Sequence, residues 1–249
     1  MSMRRFFIDP ETTRIGNPEI LGSDARHIYR VLRLSTGDNV ELFDGSGIGY
    51  RAQILSATPK RIQLQILESF PLHSESPVQI TLAQGFLKDR KMDDLIRPLT
   101  ELGIFRLIPF FASRSVSTPD ERRIQKRAGR WEKIAIEAAK QCKRGRIPLI
   151  EPAASLREVL RISGETMLNI LFYEEEDKGF EPPVSEFEKP ESVLVVVGPE
   201  GGFSTEEIER VRDYGFVTAG LGPRILRAQT AAVVACTLVQ YLYGDMGNQ

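Results

Sequence analysis

The sequence predicts an α/β protein in two parts, a small N-terminal β-barrel and a larger α/β domain with a mostly parallel sheet. About the first 70 residues show short strand patterns separated by close turns. From Val78 onward, apolar strand patterns alternate with helical ones. The stretch Pro71–Pro77, with two prolines and two serines, lies between these patterns. We therefore predict domains at residues 1–72 and 76–249.

The N-terminal part carries the signals of an all-β unit. A strand is predicted in RRFFI, and apolar and polar residues alternate in NVELF, GYRAQILSA and RIQLQILESF. Turns are predicted at Asp44–Gly47 and Thr58–Lys60, where glycine or proline interrupts the pattern. A short helix is predicted near Asp24–Leu32. Short strands with close turns indicate a small barrel.

The C-terminal part alternates strands with helices. Strands are predicted in VQITLAQGF, FRLIPFF, MLNILFY and VLVVVG, and the last two are apolar runs of the kind buried in parallel sheets. Helices are predicted over MDDLIRPLTELG, which Gly103 ends, and from Asp120 to Gln141. The acidic, proline-containing stretch Glu174–Glu191 is predicted to be a loop.

Composition limits the classes of function. We expect no membrane span, because no apolar run reaches the roughly 18 residues required, and no signal peptide. Cys142 and Cys236 are far apart, which favours a reducing cytoplasm over a disulfide framework. The only histidines are His27 and His73, so we expect neither a histidine-based metal site nor a Ser-His-Asp triad.

Positive charge is concentrated in the middle of the chain. Residues 88–146 contain 16 Lys and Arg against 8 Asp and Glu, although the whole chain has a net charge of −1. A cationic segment in a near-neutral chain is typical of a localised RNA contact. A solvated helix face explains the same charge, so charge alone leaves both interpretations open.

A glycine-rich loop follows a buried strand in VLVVVGPEGGFSTEEIERV. The strand is Val193–Val197, the loop is residues 198–202, and Ser204 with Glu207 forms a capping box that begins a helix. Glycines let the backbone approach a ligand, and α/β folds bind ligands at the carboxyl ends of parallel strands. The loop matches neither the P-loop nor the Rossmann pattern, so a plain tight turn also stays open.

A second loop of this kind occurs in AGLGPRILRAQTAAVVACTLVQYLYGD. It follows a predicted strand at Phe216–Ala219 and carries Arg224 and Arg227 beside its glycines. The helix that begins at about Gln229 is apolar on nearly every face, which predicts burial under the sheet or in a partner subunit. Core packing explains this helix but not the glycine- and arginine-rich loop before it.

The paired segments VVVGPEGGFSTEEIE and LGPRILRAQTAAV closely resemble the C-terminal motifs of the RsmE family within the SPOUT methyltransferases. KDRKMDDLIRPLTELGI, PFFASRSVS and WEKIAIEAAKQCKRGRIP resemble the family's middle segments in matching order, and FDGSG fits its N-terminal PUA-like barrel. The resemblance covers nearly the whole chain. It implies an enzyme that uses S-adenosylmethionine (AdoMet) to methylate N3 of a uridine in 16S rRNA of the small ribosomal subunit.

The resemblance also implies a trefoil knot in the C-terminal domain and a homodimer whose active site lies near the interface. AdoMet would be bound among three loops. The implied cofactor-binding residues are Leu171, Phe172, Tyr173, Val197, Gly198, Pro199, Glu200, Gly201, Gly202, Leu221, Gly222, Pro223, Ile225 and Leu226.

Three positions depart from the family's pattern. Gln229 stands where the family usually has a glutamate, Pro98 where it usually has a lysine, and Lys140 where it often has a glutamate. An amide can form hydrogen bonds but cannot accept a proton as a carboxylate does. Gln229 is a candidate catalytic residue, and a non-catalytic RNA-binding or ribosome-assembly factor stays open as an alternative.

Methylation of N3 requires removal of the uridine N3 proton, and the anion spreads its charge over the flanking carbonyl oxygens. Arg224 and Arg227 are the candidate cations that stabilise this charge, with Arg114 as a third. Glu200, the only carboxylate in the two motif loops, is the candidate general base. A structural role for Glu200, in which it accepts backbone N–H bonds in the turn, stays equally open.

RNA contacts are expected from the basic segment and the barrel, mostly to phosphates. The candidate RNA-binding residues are Lys88, Arg90, Lys91, Arg114, Arg122, Arg123, Lys126, Arg127, Arg130, Lys143, Arg144 and Arg146. A knotted methyltransferase that acts on another RNA, such as tRNA, would use the same cofactor loops. That alternative therefore also stays open.

Overall fold

The computed structural model describes residues 4–13, 17–115, 121–176, 179–180 and 189–247. The chain divides into two compact units, residues 1–75 with 139–147 and residues 76–138 with 148–249. No pattern in the sequence predicted that residues 139–147 pack with the first unit. Asp120, the predicted start of the long helix, and most of the predicted 174–191 loop lie outside the described residues.

The first unit is a curled five-stranded sheet, a half-barrel, with short helices. Its strands are β1 (Arg5–Phe7), β2 (Glu19–Leu21), β3 (Asn39–Phe43), β4 (Ile48–Ala57) and β5 (Arg61–Pro71), in the spatial order β1-β3-β4-β5-β2. β1 runs parallel to β3, and the other pairs are antiparallel. The predicted turns join β3 to β4 and β4 to β5, as the alternating pattern indicated.

Two short helices complete this unit, α1 (Pro10–Thr13) and α2 (Gly22–Arg26). α2 continues as a π-helical turn over His27–Leu32, so the predicted helix near Asp24–Leu32 is present but is wider than an α-helix in its second half. The strands bury alternate residues, such as Ile62 and Leu64 of β5, in one apolar core.

Residues 139–147 are held in the first unit by a buried ion pair. The Arg144 guanidinium lies 2.7 Å from Glu75 Oε2, and the Arg144 side chain is only 5% exposed. The other oxygen, Glu75 Oε1, accepts the backbone N–H groups of Gly145 and Arg146 at 3.0 Å. Lys140 also lies 3.0 Å from Asp24. These contacts join residues far apart in sequence, so no local pattern predicts them.

The second unit is an α/β domain built on a seven-stranded sheet. Its strands are β6 (Gln79–Gly85), β7 (Arg106–Phe111), β8 (Leu149–Ile150), β9 (Ala154–Ser155), β10 (Leu168–Phe172), β11 (Ser192–Val197) and β12 (Val217–Ala219). The order is β12-β10-β11-β6-β7-β8 with β9 beside β7, and these strands pair in parallel. The predicted α/β fold with a mostly parallel sheet is confirmed.

Helices cover both faces of this sheet. They are α3 (Lys91–Glu101), α4 (Glu121–Cys142), α5 (Leu156–Ile162), α6 (Thr205–Asp213) and α7 (Ala228–Tyr243). α5 and α6 bury apolar residues against one face, alongside Leu194 and Val196 of β11. α7 packs against β6, β11 and α3. Val195 of β11, whose side chain points away from the face that α5 and α6 cover, is also fully buried. None of the helices in the described ranges is long and apolar enough to cross a membrane.

We expect Glu75→Ala to lower the free energy of unfolding of the protein by about 3 kcal/mol, because it removes the carboxylate that pairs with the buried Arg144 guanidinium. Urea unfolding measures this change. The control is Glu68→Ala, which breaks a half-exposed ion pair with Arg51 at 2.8 Å and is expected to cost about 0–1 kcal/mol. Equal losses in both variants would show that the Glu75 pair does not hold residues 139–147 in place.

Candidate functional site

The loops that leave β10, β11 and β12 line one cavity of about 350 Å³. β10 lies between β11 and β12, so the carboxyl ends of these three parallel strands meet at one edge of the sheet. The lining residues are Lys91, Phe172, Tyr173, Glu174, Val197, Gly198, Pro199, Glu200, Leu221, Gly222, Arg224, Ile225, Leu226, Arg227, Ala228, Gln229 and Ala231. A volume of this size falls within the roughly 300–1,000 Å³ of small-molecule sites.

The cavity gathers most of the residues that were predicted from the sequence to bind the cofactor. All of them line it except Leu171, Gly201, Gly202 and Pro223. Leu171 is fully buried in the core on the α5 and α6 side of the sheet. The four candidate catalytic residues, Glu200, Arg224, Arg227 and Gln229, also line the cavity.

The loop at residues 198–202 lies directly against the end of β6. A Cβ atom on Gly85 would collide with the backbone nitrogen of Pro199, so only glycine fits there. Beside it, the buried Gln84 donates hydrogen bonds from Nε2 to the carbonyl oxygens of Gly198 and Gly85, both at 3.0 Å. Gln84 was not among the predicted site residues, because its position in a strand gave no sign of this contact.

The two remaining glycines of this loop make room for other groups. A Cβ on Gly201 would lie 2.7 Å from the backbone oxygen of Arg114. Gly202 has a φ of +68°, and a Cβ there would collide with Oε1 of Glu174. These glycines therefore hold the loop against its neighbours rather than line the cavity.

The capping box predicted at Ser204 and Glu207 is present. Ser204 Oγ accepts the Glu207 N–H at 3.3 Å, and Glu207 Oε2 accepts the Ser204 N–H at 2.9 Å. The same Glu207 carboxylate accepts the backbone N–H and the hydroxyl of Ser113, both at 2.8 Å. The helix start and the loop that carries Arg114 are thereby joined, but Arg114 itself does not line the cavity.

Glu200 is engaged by two basic residues. Its Oε1 accepts a hydrogen bond from Lys91 Nζ at 3.0 Å and from the backbone N–H of Lys88 at 3.2 Å. Burial alone would raise the pKa of this carboxyl, but hydrogen bonds from Lys91 and from the backbone outweigh it and hold the pKa below its usual value. Glu200 is therefore ionised and bound at neutral pH, which makes it a weak proton acceptor.

The two arginines of the second motif loop are exposed at the cavity. In the part of the chain that the structure describes, neither the Arg224 nor the Arg227 side chain forms an ion pair or a hydrogen bond, although the Arg227 carbonyl oxygen accepts the Ala231 N–H at 2.8 Å. Gly222 precedes them with a φ of +89°, a conformation that favours glycine. Gln229 lies in the first turn of α7, near Arg227 at the N-cap position.

Four lining residues were predicted as neither cofactor-binding nor catalytic: Lys91, Glu174, Ala228 and Ala231. Lys91 was predicted only as an RNA contact, and Glu174 as part of an acidic loop. Tyr173, predicted to bind the cofactor, lines the cavity, and its hydroxyl donates to Glu175 at 2.7 Å. Burial and this hydrogen bond raise the pKa of Tyr173 to about 12, so the hydroxyl stays protonated at neutral pH.

The candidate RNA-binding residues differ in their availability. Exposed side chains are those of Lys88, Arg90, Arg114, Arg122, Arg123, Lys126, Arg130, Lys143 and Arg146. Arg130 pairs with Asp93 at 3.1 Å, and the Arg127 guanidinium lies 5.4 Å from the centre of the Phe86 ring. Arg144 is buried and bound to Glu75, so it cannot reach a phosphate without breaking that pair. Among the described residues, no cluster of three or more His, Cys, Asp or Glu side chains could hold a metal ion.

Two domain families match the sequence. Residues 74–240 match the RNA methyltransferase domain, and residues 20–67 match the RNA methyltransferase PUA domain. The chain is 33% identical over 247 residues to the ribosomal RNA small subunit methyltransferase E of Bacillus subtilis, with 96% of each chain covered. It is also 33% identical over 222 residues to that of Aquifex aeolicus, which covers 88% of this chain and 93% of the relative.

Solved structures of methyltransferases match the chain over nearly its whole length. The ribosomal RNA small subunit methyltransferase E of Neisseria gonorrhoeae, bound to S-adenosyl methionine, matches with a TM-score of 0.83 and 31% identity over 98% of this chain and 99% of that one. A methyltransferase of Legionella pneumophila in complex with the cofactor SAM matches with a TM-score of 0.85 and 28% identity over 98% and 100%. The chain therefore belongs to the RNA methyltransferase family that includes the ribosomal RNA small subunit methyltransferase E proteins, as its two glycine motifs indicate.

Proposed function

We propose that this protein transfers a methyl group from AdoMet to N3 of a uridine in 16S rRNA of the small ribosomal subunit. One observation carries the proposal: the glycine loop and the glycine- and arginine-rich loop meet at a single cavity. The names of the relatives support ribosomal RNA as the substrate, and two solved neighbours bind AdoMet. The choice of uridine N3 rests on the resemblance of the motifs.

The cavity suits AdoMet in size and chemistry. Backbone groups of Gly198, Leu221 and Gly222 would hold polar edges of the cofactor, and Val197 and Leu226 would pack on its apolar surfaces. When bound, AdoMet supplies a methyl group activated by a positively charged sulfur. The protein's own contribution is to hold the uridine N3 in line with that group.

Arg224 and Arg227 would stabilise the uridine anion. Both are exposed at the cavity, so a uracil base that has left its stack can bring its carbonyl oxygens to a guanidinium. A fixed cation near those oxygens lowers the free energy required for N3 to lose its proton to solvent water, which reaches the exposed arginines. Glu200 would act differently. Its ion pair with Lys91 anchors the loop at residues 198–202 and leaves the Glu200 carboxylate poorly suited as a base.

RNA would bind along the exposed cations of residues 88–146 and on the first unit, which we propose as an RNA-binding domain of residues 1–72. The π-helical segment of that unit supports this role. Tyr29 and Arg30 are exposed on it, and Arg26 and Arg33, which flank it, are exposed as well. Cations beside an aromatic ring are typical of RNA contacts, in which phosphates pair and bases stack.

We also propose a homodimer and a trefoil knot in the second unit, and a cytoplasmic location where ribosomal subunits are found. α7 is buried only in part by its own chain, since Val234 and Tyr241 are 39% and 62% exposed. Ile225, in the second motif loop, is 84% exposed. A partner subunit that covers these side chains would explain an apolar helix with an uncovered face.

We expect Gly222→Val to weaken AdoMet binding roughly tenfold to hundredfold, because valine at this positive φ costs about 1–3 kcal/mol unless the loop moves. Isothermal titration with AdoMet measures the change. Gly215→Val is the matched control, since Gly215 has a φ of +78° and equally open space but lies outside the cavity. It is expected to lower stability without changing the AdoMet dissociation constant.

Equal weakening by both glycine variants would contradict the placement of the cofactor. A folded wild-type protein that binds RNA but takes up no AdoMet, even with RNA present, would favour the alternative of a non-catalytic RNA-binding or assembly factor.

We expect Arg227→Ala to lower kcat for methyl transfer about a hundredfold, the scale of losing one donor to a developing oxyanion, while AdoMet affinity stays the same. Radiolabelled methyl transfer to small ribosomal subunits, followed by mass spectrometry of the modified nucleoside, measures the rate and identifies the methylated atom. Arg210→Ala, an exposed arginine of α6 outside the cavity, serves as the control. A modified atom other than uridine N3 would overturn the proposed specificity.

We expect the double variant Arg122→Ala and Lys126→Ala to weaken RNA binding and to reduce its salt dependence. The slope of log affinity against log salt should fall by about 0.7 for each phosphate of a single strand that the variant no longer neutralises. Filter binding at several salt concentrations measures the slope. Arg157→Ala with Arg161→Ala, two exposed arginines at the same spacing on α5, should leave it unchanged.

A further inference from the structure

We propose that Glu174 binds the 2′- and 3′-hydroxyls of the cofactor ribose. This inference rests on the proposed function, because it takes AdoMet as the occupant of the cavity. Glu174 lies two residues beyond the end of β10 and lines the cavity. The family resemblance gave it no role.

Gly202 provides the space in which the Glu174 carboxylate lies. The backbone at Gly202 is left-handed, and a Cβ atom there would collide with Glu174 Oε1. Any other residue at position 202 would push the Glu174 carboxylate away from the loop at residues 198–202. The glycine thus leaves room for the exposed Glu174 carboxylate of one loop to lie against the backbone of the next.

Glu174 differs from the two acidic residues that follow it. Glu175 accepts the Tyr173 hydroxyl at 2.7 Å, and Glu176 accepts hydrogen bonds from Arg212 and Thr218 at 3.0 and 2.7 Å. Across the described ranges, Glu174 forms no hydrogen bond or ion pair. A carboxylate accepts about four hydrogen bonds, so Glu174 keeps its full capacity for a ligand in the cavity.

The sheet topology indicates which ligand group this carboxylate meets. The glycine loop follows β11, and Glu174 follows β10, its parallel neighbour, where Phe172 is in register with Val197. Dinucleotide-binding folds have a comparable spatial relation, although there the glycine strand comes first in the chain: an acidic residue after the strand beside the glycine loop binds the ribose 2′-hydroxyl. Two vicinal hydroxyls also match the two oxygens of one carboxylate.

The diol must come from the cofactor and not from the RNA. An internal nucleotide has its 3′ oxygen esterified, so it offers one free hydroxyl at most. The cofactor also carries a positively charged sulfur, which attracts a carboxylate as well. S-adenosylhomocysteine lacks that charge but keeps the ribose, so the two contacts can be distinguished.

The test compares adenosine with 2′,3′-dideoxyadenosine as competitors of AdoMet, measured by isothermal titration. We expect wild-type protein to prefer adenosine about tenfold to hundredfold, the range for hydrogen bonds to a charged group. Glu174→Ala should abolish this preference, and Gly202→Ala, which displaces the carboxylate, should reduce it. The matched control is Glu175→Gln, which changes the neighbouring carboxylate and should leave the preference intact.

Three results would overturn the inference. A preference for adenosine that survives in Glu174→Ala would place the diol elsewhere. A loss of affinity in Glu174→Ala for AdoMet but not for S-adenosylhomocysteine would assign the carboxylate to the charged sulfur. Wild-type protein that binds none of these ligands would overturn the proposed function, and this inference with it.

Discussion

The close approach of residues 198–202 to the end of β6 is the constraint on which the site depends. Gly85 lets the backbone of Pro199 come into contact with β6, and Gln84 donates to the carbonyl oxygen of Gly198. A loop that follows a parallel strand is normally free to move at its tip. Here its first residues are fixed by a neighbouring strand, and its glutamate, Glu200, is fixed by Lys91. The cavity wall is thereby ordered before any ligand binds.

Electrostatic pairing then separates residues that hold the site from residues that face a ligand. Glu200 and Glu207 are both engaged, the first by Lys91 and the second by Ser113 and Ser204. Glu174, Arg224 and Arg227 face the cavity with no such partner among the residues described. A charged group that already has a partner contributes little to binding a ligand, because it must first give up that partner. The ligand-directed charges are therefore those that local structure leaves unpaired.

The sequence predicted the features that local chemistry specifies, and it could not predict contacts between distant residues. Ser204 and Glu207 are three residues apart and form a capping box in any helix that begins there, so that helix start was predictable. Glu75 and Arg144 are 69 residues apart, and no local sequence pattern around either residue indicates that they pair. Glu174 and the two residues after it are all glutamates, so the sequence does not distinguish their roles. Only the fold determines which of them have protein partners. Such roles depend on which strands become neighbours.

Gln229 is best understood from the charges around it. A glutamate at this position would add a second ligand-facing carboxylate to a cavity that already contains Glu174 and two arginines. Opposite charges in one partly buried site attract, at about 4 kcal/mol for a 4 Å separation near a protein surface, so the added carboxylate would compete for Arg224 or Arg227. The neutral amide keeps hydrogen-bonding capacity without that competition. In this chain the arginines consequently stay available for the uracil anion of the proposed reaction. The amide at position 229 is compatible with that reaction if the glutamate of the family pattern orients groups and does not remove the proton.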